Sequence, residues 1–468
     1  MSFTDAQLKS IIEDTVRQLA GAHSARPACG CWLCDTAEEA VAAAKAAQRE
    51  LVRMSLERRG RLIDAMRAAG RQHAQRLAEL AHEETGYGKV EDKVKKNLLA
   101  VEKTPGIEDL SVASAISGDF GLTLMERAPF GVIGSITPST NPPSSIINNS
   151  ISMIAAGNAV VFNPHPAAKK VSIEAMRILN EAIAAAGGPA ALICTVKEPT
   201  LESGKALMEH PDVPLLSITG GEAVVKVAMK TGKKVVAAGP GNPPVIVDDT
   251  ADIPQAAKDI VDGASFDNNV LCIAEKEVFA FVSVAESLMR EMAKNGAWRI
   301  SGTDIDKVVN TVLEKKDGKY VPNRKFVGRD AAVILRESGV AFNGEPRLVI
   351  AAVDAKHPFI TTEMLMPVLG VATVTTIEEA IDKAIQAENG CHHTAMMHSQ
   401  NISRLSMAAR ALDTTIFVKN APSYAGLGFG GEGFASLTIA TPTGEGVTSA
   451  RTFTRLRRCV LYGNFRIV

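Results

Sequence analysis

From Phe130 onward the chain alternates short apolar stretches with amphipathic ones, regularly enough to predict repeated strand–helix units. Residues 132–137 read as a strand, 144–156 as a helix, 159–162 as a strand, 170–186 as a helix and 191–196 as a strand. A strand at 215–219 runs through Gly220 and Gly221 into a helix at 222–230, and a strand at 235–238 follows. Strands joined through helices pair in parallel, because only a long crossover returns the chain to the same end of the sheet. The pattern predicts an α/β lobe with a doubly wound sheet of nucleotide-binding type. Beyond Pro243 a second α/β lobe is predicted, with helices near 253–263, 284–294, 331–338 and 377–387. Its strands fall near 277–282, 348–353, 368–375, 394–398 and 414–418. Ligand chemistry is expected in the cleft between the lobes.

Upstream, the alanine-rich, charge-studded stretch 36–100 reads as long helices started by Asp35 or Thr36 as cap, and 120–127 reads as a strand of an excursion. Near the N-terminus, Leu8, Ile12, Val16 and Leu19 fall at helical spacing behind a Thr4/Gln7 capping pattern, which predicts a short amphipathic helix. Residues 21–35 show no period and read as a linker.

Composition narrows the function. With 46% hydrophobic and 22% charged residues over 468 positions, the chain has the make-up of a globular enzyme of more than one lobe. A formal charge of −1 leaves no field to concentrate nucleic acid or anionic membrane, so small molecules are the expected ligands. No membrane-length apolar run or secretory signal pattern is present, and a cytoplasmic location is expected. The cysteines, at 29, 31, 34, 194, 272, 391 and 459, are odd in number, which argues against a disulfide framework. Cys29, Cys31 and Cys34 have only His23 near enough in sequence to complete four ligands, so no metal site is expected.

Three segments carry candidate chemistry. In the first, Pro138-Ser139-Thr140-Asn141-Pro142-Pro143 ends a strand, and the prolines restrict their neighbours. Asn141 is there either a fixed amide donor for an oxyanion or an amide that serves the loop backbone. Gly220-Gly221 before a helix suits either a phosphate or plain turn chemistry, and GxGxxG is absent. Cys272 follows Asp267-Asn268-Asn269 and is either a nucleophile or a buried small hydrophobe. His392 and His393 adjoin Cys391, and on a strand at most one of the two faces a site.

Taken in order, six landmarks resemble the aldehyde dehydrogenase superfamily over residues 36–468, and most closely its CoA-acylating branch. They are Ile136-Thr137-Pro138-Ser139-Thr140-Asn141-Pro142, the stretch from Ala156 through Asn163-Pro164-His165-Pro166, Ile218-Thr219-Gly220-Gly221, Ala237-Ala238-Gly239-Pro240-Gly241-Asn242, the Cys272 segment, and Glu363-Met364-Leu365-Met366-Pro367-Val368. The resemblance implies an aldehyde dehydrogenase-like fold of two doubly wound lobes plus an oligomerisation arm. It divides the chain into a targeting helix in 1–20, a linker at 21–35, a cofactor-binding lobe at 36–240 with an arm insertion about 114–128, a catalytic lobe at 241–420, a return to the cofactor-binding lobe at 421–446, and an oligomerisation tail at 447–468.

It further implies Cys272 as nucleophile and Asn141 as oxyanion donor, with His393 as base for the CoA thiol. Thr137, Pro138, Ser139, Asn163, His165, Thr219, Gly220, Gly221, Ala238, Gly239 and Glu363 are implied at the dinucleotide cleft. NAD is the implied cofactor and coenzyme A the co-substrate of a short-chain aldehyde, acetaldehyde or propionaldehyde. A homodimer or homotetramer is implied, with residues 1–20 docking on a microcompartment shell. Two positions depart from the wider superfamily: Asn163 stands where many members carry a ribose-binding lysine, and Ala238 where hydrolytic members carry a water-activating glutamate. The alternatives are a hydrolytic or semialdehyde dehydrogenase and a non-catalytic shell-associated protein.

Overall fold

Strands that are apolar along their whole length have no face to offer water, and here they form two parallel sheets covered on both sides by helices. The computed structural model describes residues 31–110 and 114–468; the expected helix within 1–20, Cys29 and most of the expected linker lie outside the described residues. The first sheet has six strands, in the spatial order Leu33–Cys34, Ile193–Val196, Ala159–Pro164, Val132–Thr137, Leu215–Thr219 and Lys234–Ala238. Every pairing in it is parallel. The second sheet has seven, in the order Ala297–Ile300, Leu348–Ala352, Val368–Val374, Glu277–Phe281, Pro244–Val247, Thr394–His398 and Ile416–Lys419, again all parallel.

In the first sheet the chain grows outward from Val132–Thr137 in both directions; in the second it steps from Pro244–Val247 through Glu277–Phe281 to the edge strand Ala297–Ile300, turns back and then passes to the other side of Pro244–Val247, so both are doubly wound. Helix Ala37–Leu51 begins at Thr36, whose side chain caps Glu39 while Glu39 reaches back, and lays Ala40, Val41, Ala44 and Ala47 on the first sheet. Small side chains on that face let the helix approach closely.

Some elements differ from the periodicity reading. Leu33–Cys34, inside the expected linker, forms an edge strand paired with Thr195 and Val196; a two-residue strand has no period to detect. The helix expected from Ser144 starts at Pro142, with prolines at its first two positions, where a missing N–H costs nothing. In the second lobe, Pro244–Val247, Ala297–Ile300 and the hairpin Leu313–Lys316/Lys319–Pro322 were not expected; each is only four residues long. The excursion is an antiparallel sheet of Ser114–Gly118, Gly121–Pro129 and Thr454–Tyr462, so the tail pairs with the excursion from more than 300 residues away. Leu456, Val460 and Tyr462 lie exposed on one side of its last strand.

Candidate active site

Helix Ile253–Ser265 points the chain toward the space between the sheets and ends at Phe266. Asp267, Asn268 and Asn269 then take positive φ in succession, at 47°, 52° and 65°. Asp and Asn tolerate that conformation best among side-chain-bearing residues, which explains their run before Cys272. Asn268 Nδ2 donates to Gly328 O at 3.0 Å and to Asp330 Oδ1 at 2.8 Å, and Asn269 Nδ2 to Ala264 O at 2.8 Å and Glu275 O at 2.9 Å. Lys276 Nζ donates to the carbonyls of Asn269 and Leu271, each at 3.0 Å. The turn is thus held from every side, and Cys272 emerges from it part-exposed on the cleft floor.

Burial and the nearby Glu363 carboxylate push the Cys272 thiol up to about 11, while Lys276 and the N–H groups of Cys272 and Ile273 pull it down. Glu363, itself raised by burial, accepts from the Gly241 N–H at 3.3 Å. Lys276 is pushed down to about 8 by burial, against the attraction of Glu363 and Cys272. Cys272 and Glu363 at the cleft and the buried Lys276 behind them therefore form one electrostatic set.

On the opposite wall, strand Val132–Thr137 runs into Pro138-Ser139-Thr140, and Asn141 caps helix Pro142–Ala155. Asn141 Oδ1 accepts from Lys96 Nζ at 2.7 Å, and Nδ2 reaches Thr140 Oγ1 at 3.3 Å, which leaves an amide hydrogen for the cleft. Pro138, Thr219, Gly220, Gly221, Ala238 and Gly239 line the same cleft as Asn141, Cys272 and Glu363. Gly221 is the N-cap of helix Glu222–Met229 and supplies no side-chain cap, so the first N–H groups of that helix are free for an anion. A dinucleotide pyrophosphate fits this end.

Other expected residues stand elsewhere. Thr137 is buried, its hydroxyl without a partner, and does not line the cleft. Ser139 is also absent from the lining. Asn163 is engaged with the start of helix Leu201–Glu209: its Nδ2 donates to Thr200 O at 3.2 Å and its Oδ1 accepts from Ser203 Oγ at 2.6 Å, which leaves one amide hydrogen and one lone pair. His165 is exposed, and its Nδ1 accepts from the Ala167 N–H at 3.1 Å. His393 lies behind the cleft wall. Burial pushes its ring down to about 4 and keeps it neutral; Nδ1 meets Thr394 Oγ1 at 2.9 Å and Nε2 has no partner. A Cβ on Gly241 would stand 2.8 Å from Cys272 O and 2.9 Å from His393 Cγ, so both press on that glycine.

The sequence reading gave no role to Thr140, Asp267 and Gly241 within its landmarks and passed over Lys93, Lys96 and Lys276. The lysines sit in charge-rich segments like any solvated face, and only the burial of their side chains distinguishes them.

Residues 34–438 match the model of the aldehyde dehydrogenase family. The acetaldehyde dehydrogenase (acetylating) EutE of Salmonella typhimurium is 54% identical, with 92% of each chain covered. A propionaldehyde dehydrogenase from the Clostridium phytofermentans fucose utilisation bacterial microcompartment superposes with a TM-score of 0.91 at 48% identity, over 93% of this chain and 100% of that one. The Rhodopseudomonas palustris propionaldehyde dehydrogenase, solved with bound CoA and an acylated cysteine, gives a TM-score of 0.90 at 46% identity over 92% and 98% of the two chains. A cysteine and an amide facing each other across a cleft whose far end suits a dinucleotide agree with this likeness, and the chain belongs to the aldehyde dehydrogenase family.

Proposed function

We propose that the protein is a CoA-acylating aldehyde dehydrogenase that converts acetaldehyde or propionaldehyde, NAD+ and CoA into acyl-CoA and NADH. The observation that carries this reading is the cleft itself: Cys272 and Asn141 face one space, and the side chain at 238 that borders it is a methyl group. Cys272 attacks the aldehyde carbon as the thiolate, and the resulting oxyanion accepts hydrogen bonds from Asn141 Nδ2 and the Cys272 N–H. NAD+, held at the Gly220-Gly221 end of the cleft, would take up the hydride from that carbon, and the acyl group would then remain on Cys272 as a thioester. The CoA thiol then attacks the thioester, and Cys272 leaves as thiolate. His393 is kept as the proposed acceptor of the CoA proton on the family likeness alone, since its ring is buried off the cleft lining and pushed down to about 4.

Water competes poorly at this site. A positioned base contributes about 10² to 10⁴-fold to attack by water, and Ala238 supplies none. A thiol, with a reference pKa of about 8.5, ionises enough near neutral pH to react with weak help. Without CoA we expect an NADH burst of about one equivalent per site followed by slow turnover, and with CoA, sustained turnover that yields acyl-CoA. Fast release of free carboxylic acid without CoA would replace this reading with a hydrolytic one.

The three-stranded sheet is the proposed oligomerisation arm of a dimer or tetramer, because exposed Leu456, Val460 and Tyr462 on an outer strand suit burial against another subunit. Residues 1–20, with their apolar stripe, are the proposed docking segment for a microcompartment shell.

A further inference from the structure

An asparagine side chain presents a carbonyl oxygen on one side and two N–H donors on the other, and a half-turn about its last bond exchanges them. For an oxyanion the difference decides everything: one orientation donates, the other sets a lone pair against negative charge. We propose that Lys96 is the positioning residue that fixes the Asn141 amide with its N–H toward the cleft and strengthens that donor; this rests on the reading of Asn141 as the oxyanion donor.

An ammonium has three hydrogens and no acceptor, so whatever faces it must be a lone pair. Lys96 Nζ lies 2.7 Å from Asn141 Oδ1 and 3.4 Å from Thr140 O, and it pairs with Asp267 Oδ2. All three hydrogens have partners, so none remains for a substrate, and Lys96 acts through Asn141. A cation on the amide oxygen also draws electron density from the nitrogen and makes its N–H the better donor.

The ammonium is itself held in place. Asp267 accepts from Lys93 Nζ at 3.1 Å and from the Lys89 N–H at 2.8 Å, while its own N–H donates to Asp92 Oδ2 at 2.9 Å. The side chains of Lys93, Lys96 and Asp267 are 3%, 5% and 0% exposed, so water does not screen them. Gly88, at φ +66°, comes so near that a Cβ there would stand 1.7 Å from Asp267 Oδ1, which only glycine permits. Because Asp267 belongs to the turn that presents Cys272, one carboxylate couples the nucleophile loop to the oxyanion loop through helix Val90–Lys103.

The test is a double-mutant cycle on the intact enzyme, read as the single-turnover rate of the NADH burst with propanal and saturating NAD+ in the absence of CoA. Lys96→Met keeps an unbranched side chain one atom shorter, removes its charge and leaves Lys93 to Asp267. Alone it should slow the burst about ten- to hundredfold, the scale of a misplaced catalytic group, with the Kd for NAD+ within twofold of the parent. In an Asn141→Ala background the same change should alter the burst by less than about threefold, because the group it positions is gone.

Equal slowing in both backgrounds would overturn the proposal and leave a general structural role. A burst within threefold of the parent in Lys96→Met, beside a slow Asn141→Ala, would refute the proposal while the oxyanion reading stands. A fast Asn141→Ala would sink that reading and this proposal with it. Should Lys96→Met not fold, Lys96→Gln, which removes the charge, keeps a polar group beside Asp267 and leaves the Lys93–Asp267 pair intact, is compared with Asn141→Ala in the same way and decides the matter.

Discussion

Glu363→Gln should make Cys272 more reactive toward an alkylating reagent in the enzyme free of ligands. Burial and the Glu363 carboxylate raise this thiol from an ordinary 9.0 to about 11. Ionisation creates negative charge, so a neighbouring carboxylate opposes it and an amide does not; the substitution therefore lowers the thiol's pKa and raises the thiolate fraction at every pH below it. With a pKa of about 11 the thiolate fraction at pH 8 is roughly one in a thousand, against roughly one in ten for an ordinary thiol. Burial remains after the substitution, so only the charge contribution is recovered. A like charge within several ångströms is worth about tenfold in ionisation at protein dielectric, and alkylation at pH 8 should speed up by about that factor. Lys276→Met should act in the opposite sense, because its cation favours the thiolate.

Iodoacetamide labelling followed peptide by peptide across pH 7 to 10 isolates Cys272 from the exposed Cys31 and Cys459. A Glu363→Gln enzyme labelled at Cys272 no faster than the parent at pH 8 would refute the reasoning, and so would faster labelling in Lys276→Met.

Cys272→Ala should abolish the NADH burst while NAD+ still binds; turnover above about a hundredth of the parent rate would remove Cys272 from the nucleophile's role. In Gly241→Ala a methyl would meet Cys272 O at 2.8 Å and the His393 ring at 2.9 Å. Backbone and a buried ring yield poorly, so we expect a loss of about 1 to 3 kcal/mol in stability by chemical denaturation and at least tenfold in burst rate; parental values for both would show that the wall adapts. Leu456→Glu/Val460→Glu places two carboxylates on the outer strand and should shift the protein to a smaller species by light scattering, with an unchanged mass counting against the arm.

Much of this architecture was legible along the chain. The strands 132–137 and 215–219 came out residue for residue, and the helices read with their own bounds to within about two positions, because an amphipathic helix and a buried strand carry their burial pattern as a period in sequence, whereas helices Leu201–Glu209, Thr303–Val312 and Ile402–Leu412 were not expected. The six landmarks in order determined the family, since each preserves a local backbone requirement: the prolines around Asn141, the glycines before helix Glu222–Met229, the Asp-Asn-Asn turn ahead of Cys272. Short elements had no such period. Leu33–Cys34 pairs only because Ile193–Val196 offers it an edge.

What only the tertiary structure decided is which polar groups lose their water. Lys96 and Lys276 are ordinary lysines in sequence, Lys96 in a run with Lys93 and Lys95. Burial of Lys96 beside Asn141 and Asp267, and of Lys276 beside Glu363 and Cys272, from segments up to some 170 residues away, turns them into charges that act on the site. Asn163 shows a second packing contact invisible in sequence: its place in a landmark suggested a ribose contact, and the start of helix Leu201–Glu209 also holds its amide through Thr200 and Ser203. The sequence by itself determined the longer elements, the family and the candidate for the nucleophile, because those depend on local pattern. The orientation of the Asn141 amide, the raised pKa of Cys272 and the wall at Gly241 depend on distances of about 3 Å between remote residues, and such distances exist only once the chain is packed.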